Sequence, residues 1–163
     1  MSNIYDYVDN FAKIKDIECE KLYGSDNNEG NPYISFVIPT YKRAAFLQEA
    51  IDSIDNQTEK HINYEIIVVN NDPTDNMEEI VNNNKRDNIY FYRNMENIGM
   101  TGNFNRCILL ARGKYISFLH DDDLLKPEYL GEITKVLNSR KYGNYDCIIP
   151  NNERMFGGGG TVI

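Results

Sequence analysis

The chain has 163 residues, 41% of them hydrophobic and 12% aromatic, which is enough to bury the core of one domain and excludes disorder as the default state. Asp and Glu number 25 against 17 Lys and Arg, a formal net charge of -8, so no basic surface is available for a nucleic-acid backbone. The cysteines Cys19, Cys107 and Cys147 are widely spaced and form no Cys-x-x-Cys pair, which argues against disulfides and zinc and fits a reducing cytoplasm. No apolar run approaches the roughly 20 residues that cross a bilayer, and the first residues lack the basic and apolar regions of a signal peptide.

Ile4, Val8, Phe11, Ile14 and Ile17 recur at helical spacing, so residues 4–22 are expected to form an accessory helix, followed by a polar linker that ends at Gly30. Beyond the linker, short β-branched or aromatic runs alternate with segments of helical period. Residues 34–38 read as a strand, and Phe46, Leu47, Ala50, Ile51 and Ile54 as the inner face of the next helix. Residues 65–69 form a second strand, apolar along nearly its whole length, as expected when both sheet faces are covered. A polar loop from Asn70 to Asn76, a short helix near 77–83 and a third strand at 89–92 come next. Phe104, Cys107, Ile108 and Ala111 stripe the following helix, which Arg112-Gly113 is expected to stop, Gly being the usual residue past a helix end. A fourth strand at 115–119, a helix near 127–139 opened by Pro127 and a fifth strand at 145–149 complete the alternation. Four glycines, 157–160, then lead into the last three residues. This pattern predicts an α/β fold, a mostly parallel sheet with helices on both faces, incomplete at the C-terminus.

Asp121-Asp122-Asp123 stand directly behind the fourth strand. Adjacent like charges repel by about 1 kcal/mol per pair at the dielectric of water, and by more where protein displaces solvent. Carboxylate oxygens are hard ligands that suit Mg²⁺ or Mn²⁺, and such an ion commonly bridges protein carboxylates to substrate phosphates. The cluster reads equally as an acidic turn before a helix, where the helix dipole favours negative charge. In open parallel sheets, ligands lie beyond the carboxyl ends of the strands. Four loops meet that condition: Pro39-Thr40-Tyr41-Lys42-Arg43, Asn70-Asn71-Asp72, residues 93–99, and residues 120–123. If they converge, Tyr41 can stack on a base, Asn71 or Asp72 can bond its edge, and the acidic cluster can hold ribose and metal. Each also has a plain structural use: Thr40 as a helix cap, Asn and Asp as turn formers, Gly99 as a positive-φ residue.

The ordered set of Val37-Ile38-Pro39-Thr40-Tyr41-Lys42-Arg43, residues 65–72, Asn97-Ile98-Gly99 with Asn105, and the run 113–123 resembles family 2 glycosyltransferases, over about residues 33–150. The resemblance implies the GT-A fold, a Rossmann-like sheet that binds a nucleotide-diphosphate sugar with Mn²⁺ or Mg²⁺ at a DXD-type motif. It implies nucleotide contacts from Pro39, Thr40, Tyr41, Arg43, Asn71, Asp72, Asn97, Gly99, Asn105 and Asp121, the last of these on the ribose. Asp122 matches the metal ligand, with Asp123 a second candidate. Residues 1–30 are then the accessory helix and linker, 31–152 the donor-binding domain, and 153–163 a Gly-rich tail or the start of a missing acceptor region.

The implied reaction is inverting, metal-assisted transfer of the sugar to a hydroxyl of a glycan or lipid-linked acceptor, as in bacterial-type polysaccharide synthesis. It would take place in the cytoplasm or at the inner face of the membrane, and the catalytic base is expected beyond residue 163. The resemblance favours a UDP-sugar, with dTDP- and GDP-sugars open. Asn70-Asn71 stand where the family usually has two acids, and because an amide both donates and accepts it can still pair with a pyrimidine edge but weakens the choice of uridine over thymidine or guanosine. His120 replaces a frequent first aspartate of the motif. No Gly-rich phosphate loop follows the first strand, which disfavours a nicotinamide enzyme and a nucleotidyltransferase. A non-catalytic or truncated nucleotide-sugar-binding module is the alternative.

Overall fold

A computed structural model describes residues 9, 11–25, 30–139, 147–154 and 161–162. In chain order they form β1 (Cys19–Tyr23), β2 (Ile34–Thr40), α1 (Ala44–Asp55), β3 (Tyr64–Asn70), α2 (Glu78–Asn83), β4 (Ile89–Asn94), α3 (Gly99–Leu110), β5 (Tyr115–Phe118) and α4 (Tyr129–Leu137). A short antiparallel ladder of β6 (Glu153–Arg154) with β7 (Thr161–Val162) stands apart from the main sheet.

The main sheet has the order β1-β4-β3-β2-β5. All seven residues of β2 are buried, as an apolar strand covered on both faces must be. β2 runs parallel to β3 from Ile34 opposite Tyr64 to Thr40 opposite Asn70, and β3 runs parallel to β4. The chain then crosses back to the other side of β2, where β5 pairs in parallel only from Ile34 opposite Tyr115 to Val37 opposite Phe118. The strand order therefore reverses between β2 and β5, the place where α/β sheets open a ligand crevice. Pro39, which has no N–H to donate, lies beyond the last pair shared with β5, so its missing donor costs that ladder nothing.

Two clusters cover the sheet. Ile34, Phe36, Ile38, Ile66, Val68 and Phe91 pack with the inner faces of α1, α2 and α4 on one side, and Val37, Ile67, Val69 and Tyr90 pack with Cys107 of α3 on the other. Each large apolar side chain buried here contributes roughly 1.5–3 kcal/mol. α1 buries Leu47, Ala50, Ile51 and Ile54 as expected, whereas Phe46 is exposed. α3 departs further: its buried residues are Gly102, Asn103 and Cys107, and Ile108 faces outward.

The N-terminal segment corrects one expectation. Instead of a helix over 4–22, Ala12–Ile14 form a single 3₁₀ turn and Cys19–Tyr23 pair antiparallel with β4, Cys19 opposite Asn94. Arg106 of α3 holds the connection by donating to the carbonyl oxygens of Ile14 and Ile17 at 2.9 and 2.6 Å. Residues 1–8 lie outside the described residues, as do Tyr145 and Asp146 of the expected fifth strand. Cys147, Ile148 and Ile149 of that segment are not in a strand.

At the amino ends of the strands a buried carboxylate ties three segments together. Glu65 accepts from Ser35 Oγ at 2.6 Å, from the Arg112 backbone N–H at 2.9 Å, and from Arg112 Nε and Nη2 at 2.9 and 2.5 Å. A charge so far from water is tolerated because its lone pairs are occupied by fixed donors. Gly113 does not serve as the left-handed helix cap expected of it, since α3 ends at Leu110 and Gly113 has no positive φ. It is small because a Cβ there would lie 2.6 Å from the Ser35 backbone nitrogen.

Two glycine substitutions should therefore differ in sign. Gly113→Ala, which forces backbone against backbone, is expected to lower stability by about 2–3 kcal/mol in urea melts. Gly131→Ala, within α4 where the new Cβ meets only Glu59 at 3.7 Å, is expected to raise it by about 0.5–1 kcal/mol.

Candidate functional site

A cleft of about 370 Å³ opens at the switch between β2 and β5. Pro39, Thr40, Tyr41 and Arg43 line it from the end of β2, Asn71 from the end of β3, Asn97 from the loop after β4, and Asp121 from the loop after β5. Met100, Asn103 and Phe104 of α3, together with His120, complete the wall. Gly99 begins α3 with φ +74°, the left-handed conformation expected of it.

The floor of the cleft is a buried hydrogen bond between segments far apart in sequence. Thr40 Oγ1 donates to Asp121 Oδ2 at 2.7 Å, with Thr40 4% and Asp121 6% exposed. Thr40 is thereby committed across the switch point rather than to capping α1, whose N-cap residue is Arg43 and carries no side-chain cap. Lys42 between them has φ +57°, a left-handed conformation rare for a residue with a side chain.

The three aspartates do not act as one cluster. Asp121 faces the cleft, and Asp122 turns to Arg43, whose Nη1 lies 2.6 Å from Asp122 Oδ2 and 3.4 Å from Asp121 Oδ1. Asp123 instead lines a neighbouring hollow of about 520 Å³ along β5, among Ile116, Phe118, Tyr129 and Ile149. His120 borders both spaces, its ring centroid 5.4 Å from that of Phe104. The positive partner that the acidic run demands is thus present in the chain itself, as a guanidinium. Among the described residues no three His, Cys, Asp or Glu side chains converge as a metal cage. A Mg²⁺ or Mn²⁺ site needs less than that, because these ions are commonly held by one or two carboxylates and complete their shell with phosphates and water. Asp121 and Asp122 meet that requirement; Asp123, facing the other hollow, does not join them.

Asn71 behaves unlike a base-reading residue. Its Nδ2 donates to Asn97 Oδ1 at 2.9 Å and to the Gly99 carbonyl at 3.3 Å, while its Oδ1 accepts from Asn94 Nδ2 and the Ile98 N–H, both at 3.1 Å. An amide has two donors and two lone pairs, so this one is saturated. The backbone partners fix its orientation, because only nitrogen can face the Gly99 carbonyl and only oxygen the Ile98 N–H. Asn103 continues the network, accepting from Asn94 Nδ2 at 2.9 Å and donating to the Val69 carbonyl at 3.0 Å. Asp72 is similarly engaged in its own turn, accepting from the Thr74 hydroxyl at 2.7 Å and the Thr74 N–H at 3.0 Å, which hold its carboxyl below the usual carboxylate range.

A family model described as Glycosyl transferase family 2 matches residues 35–160. The chain belongs to glycosyltransferase family 2. Among its relatives, the abequosyltransferase RfbV of Salmonella typhimurium is 36% identical over 110 residues, which cover 66% of this chain and 33% of the relative. The GalNAc(5)-diNAcBac-PP-undecaprenol beta-1,3-glucosyltransferase of Campylobacter jejuni is 33% identical over 138 residues, 79% of this chain and 43% of the relative. The chain therefore spans less than half the length of these two curated relatives. The fold is shared with solved structures of S. aureus TarS 1-349 in complex with UDP-GlcNAc and of the mannosyltransferase PcManGT from Pyrobaculum calidifontis in complex with GDP-Man and Mn²⁺. Both give a TM-score of 0.59, at 23% and 22% identity, covering 64% and 68% of this chain and 31% and 34% of those chains.

Within this family 2 domain, then, Pro39, Thr40, Tyr41, Arg43, Asn71, Asn97 and Asp121 are brought together, with Asp122 at the rim through Arg43. Asp72, Gly99 and Asn105 are not among the residues lining the cleft; Gly99 only begins α3, Asn105 is half-buried on it, and the α3 residues that reach the cleft are Met100, Asn103 and Phe104. The alternation of Asn97, Asn103 and Asn105 contained the signal, but only the amide network shows which of them turns inward.

Because the Asn71 amide donates to a carbonyl, the acid usual in the family would set oxygen against oxygen here. Asn71→Asp is expected to cost about 2 kcal/mol in chemical denaturation. Unchanged stability would mean that the network rearranges freely.

Proposed function

We propose that this chain is the donor-binding part of a glycosyltransferase that takes a sugar from a nucleoside diphosphate and passes it to an acceptor hydroxyl. The observation that carries the reading is the meeting of Thr40, Tyr41, Arg43, Asn97 and Asp121 in one cleft at the switch point. In this reading Tyr41, 43% exposed, offers its ring to the base, and Asp121 accepts from the ribose hydroxyls. Asn97 Nδ2, which has no partner among the described residues, donates to a base carbonyl. Such a donor suits uracil, thymine and guanine carbonyls alike, and we favour uridine.

Asp122, supported by Asp121, is the proposed holder of Mn²⁺ or Mg²⁺, which when bound would supply Lewis-acid neutralisation of the departing diphosphate. Arg43 supplies a second positive charge at the same place. The acceptor oxygen attacks the anomeric carbon from the opposite face, so the configuration inverts. We propose an acceptor in bacterial-type glycan or polysaccharide synthesis, either a glycan or a lipid-linked sugar; the undecaprenol-linked substrate in the name of the Campylobacter relative supports the latter. No helix among the described residues is long and apolar enough to cross a membrane, and we propose action in the cytoplasm or at the membrane's inner face. We assign the catalytic base to no residue of this chain.

Calorimetric titration with UDP-, dTDP- and GDP-sugars, with and without Mn²⁺, tests the reading. Binding is expected to require metal and to weaken at least about tenfold in Asp122→Asn, the loss of one charge-assisted ligand contact. Metal-independent binding of equal strength in the variant would remove Asp122 from its role.

A further inference from the structure

Among the described residues, Arg43 is the cation in contact with the acidic pair, through Nη1 at 2.6 Å from Asp122 and 3.4 Å from Asp121. It is also a wall residue of the donor cleft, beside Tyr41 and Asn97. The pair is accessible, with the Arg43 side chain 51% and the Asp122 side chain 30% exposed, so the contact is one that competing ions can break. We infer that Arg43 is an internal counter-ion that occupies the acidic pair before the donor arrives and moves onto the donor's diphosphate when a divalent cation takes its place. The inference rests on the donor-binding reading above.

The argument is electrostatic and steric. A Mg²⁺-type ion sits about 2 Å from its carboxylate oxygen, and the guanidinium nitrogen already stands 2.6 Å from Asp122 Oδ2, so an ion on that oxygen would be held about 4 Å from the guanidinium charge. Like charges held that close repel by more than a half-exposed ion pair gains. Metal and guanidinium therefore compete for Asp122. Once released, Arg43 remains at the cleft wall with its planar fork free, and that fork matches the oxygens of a phosphate. The exchange offsets one of the two negative charges of Asp121 and Asp122 when no donor is bound, and it makes metal capture depend on an anion that draws Arg43 away. Metal alone should bind poorly, whereas metal and nucleoside diphosphate together should bind well.

Removing the guanidinium should then move two affinities in opposite directions, which a purely structural role would not do. In Arg43→Ala and Arg43→Gln, Mn²⁺ alone, followed by the electron paramagnetic resonance of the free ion, is expected to bind about fivefold more tightly than to the wild type. UDP in the presence of saturating Mn²⁺ is expected to bind at least about fivefold more weakly in both variants. Lys42→Asn removes one charge from the same loop without touching the acidic pair, and is expected to change the Mn²⁺ affinity by less than about twofold. Mn²⁺ affinity unchanged or reduced in the Arg43 variants, Mn²⁺ binding to none of the proteins, an equal gain in Lys42→Asn, or UDP affinity unchanged in the Arg43 variants would each overturn the inference. Failure of the wild type to bind UDP, dTDP or GDP at all, with Mn²⁺ binding as expected, would instead overturn the donor-binding reading.

Discussion

The cleft exists because β2 and β5 pair over only part of the length of β2 and then part, with Thr40 bonded back across the gap to Asp121. Everything else at the site is positioned by that divergence. Parallel pairing of β2 with β3, and of β3 with β4, sends their carboxyl ends to the same edge of the sheet, so the loops bearing Tyr41, Asn71 and Asn97 meet the loop bearing Asp121. The buried hydroxyl-to-carboxylate bond is costly to break, since either partner left alone would be an unsatisfied polar group away from water. It fixes the distance between the two sides of the crevice as a backbone ladder would, in a place where no ladder can form.

The polar chemistry around this bond is divided between two solutions to burial. Where the family usually has acids at the end of β3, this chain uses amides, and Asn71, Asn94 and Asn103 bond to one another and to the backbone while holding α3 against the sheet, with Asn94 Oδ1 alone of their side-chain atoms left without a partner among the described residues. Neutral groups pay no ionic desolvation, which suits positions as deep as Asn94 and Asn103. Charge is kept at Asp121, buried and bonded to Thr40, and at the rim, where Asp122 and Arg43 are partly open to water and can change partners. The fixed part of the site is thus an amide network with one hydroxyl-bonded carboxylate, and the adjustable part is the exposed ion pair.

Much of the fold could be read in the residues because β2 and β3 are apolar on both faces and the helices α1 and α4 carry ordinary inner stripes. β1 escaped because it is an edge strand: Cys19, Leu22 and Tyr23 are partly buried while Glu20 and Lys21 face water, a pattern that the helical spacing of Ile14 and Ile17 overrode. The inner face of α3 was misplaced for a different reason. A period of apolar residues finds Phe104 and Ile108, but the helix turns Asn103 inward to meet the Val69 carbonyl, a choice that depends on contacts far away in sequence. The acidic run was visible as a site, but its division was not. That Asp121, Asp122 and Asp123 face a cleft, a guanidinium and a separate hollow follows from the turn after Phe118 and from Arg43, on a different loop.

The most direct test of the central claim, that these strand tips form one nucleotide-diphosphate pocket, is a titration of the ¹⁵N-labelled chain with UDP and Mg²⁺ followed by amide chemical shifts. The amides of Thr40, Tyr41, Asn97, Gly99 and Asp121 should move together along one binding curve, while those of Ser35, Glu65 and Gly113 at the opposite end of the sheet stay still. Shifts confined to the hollow around Ile148 and Ile149, or scattered without a common curve, would contradict the account.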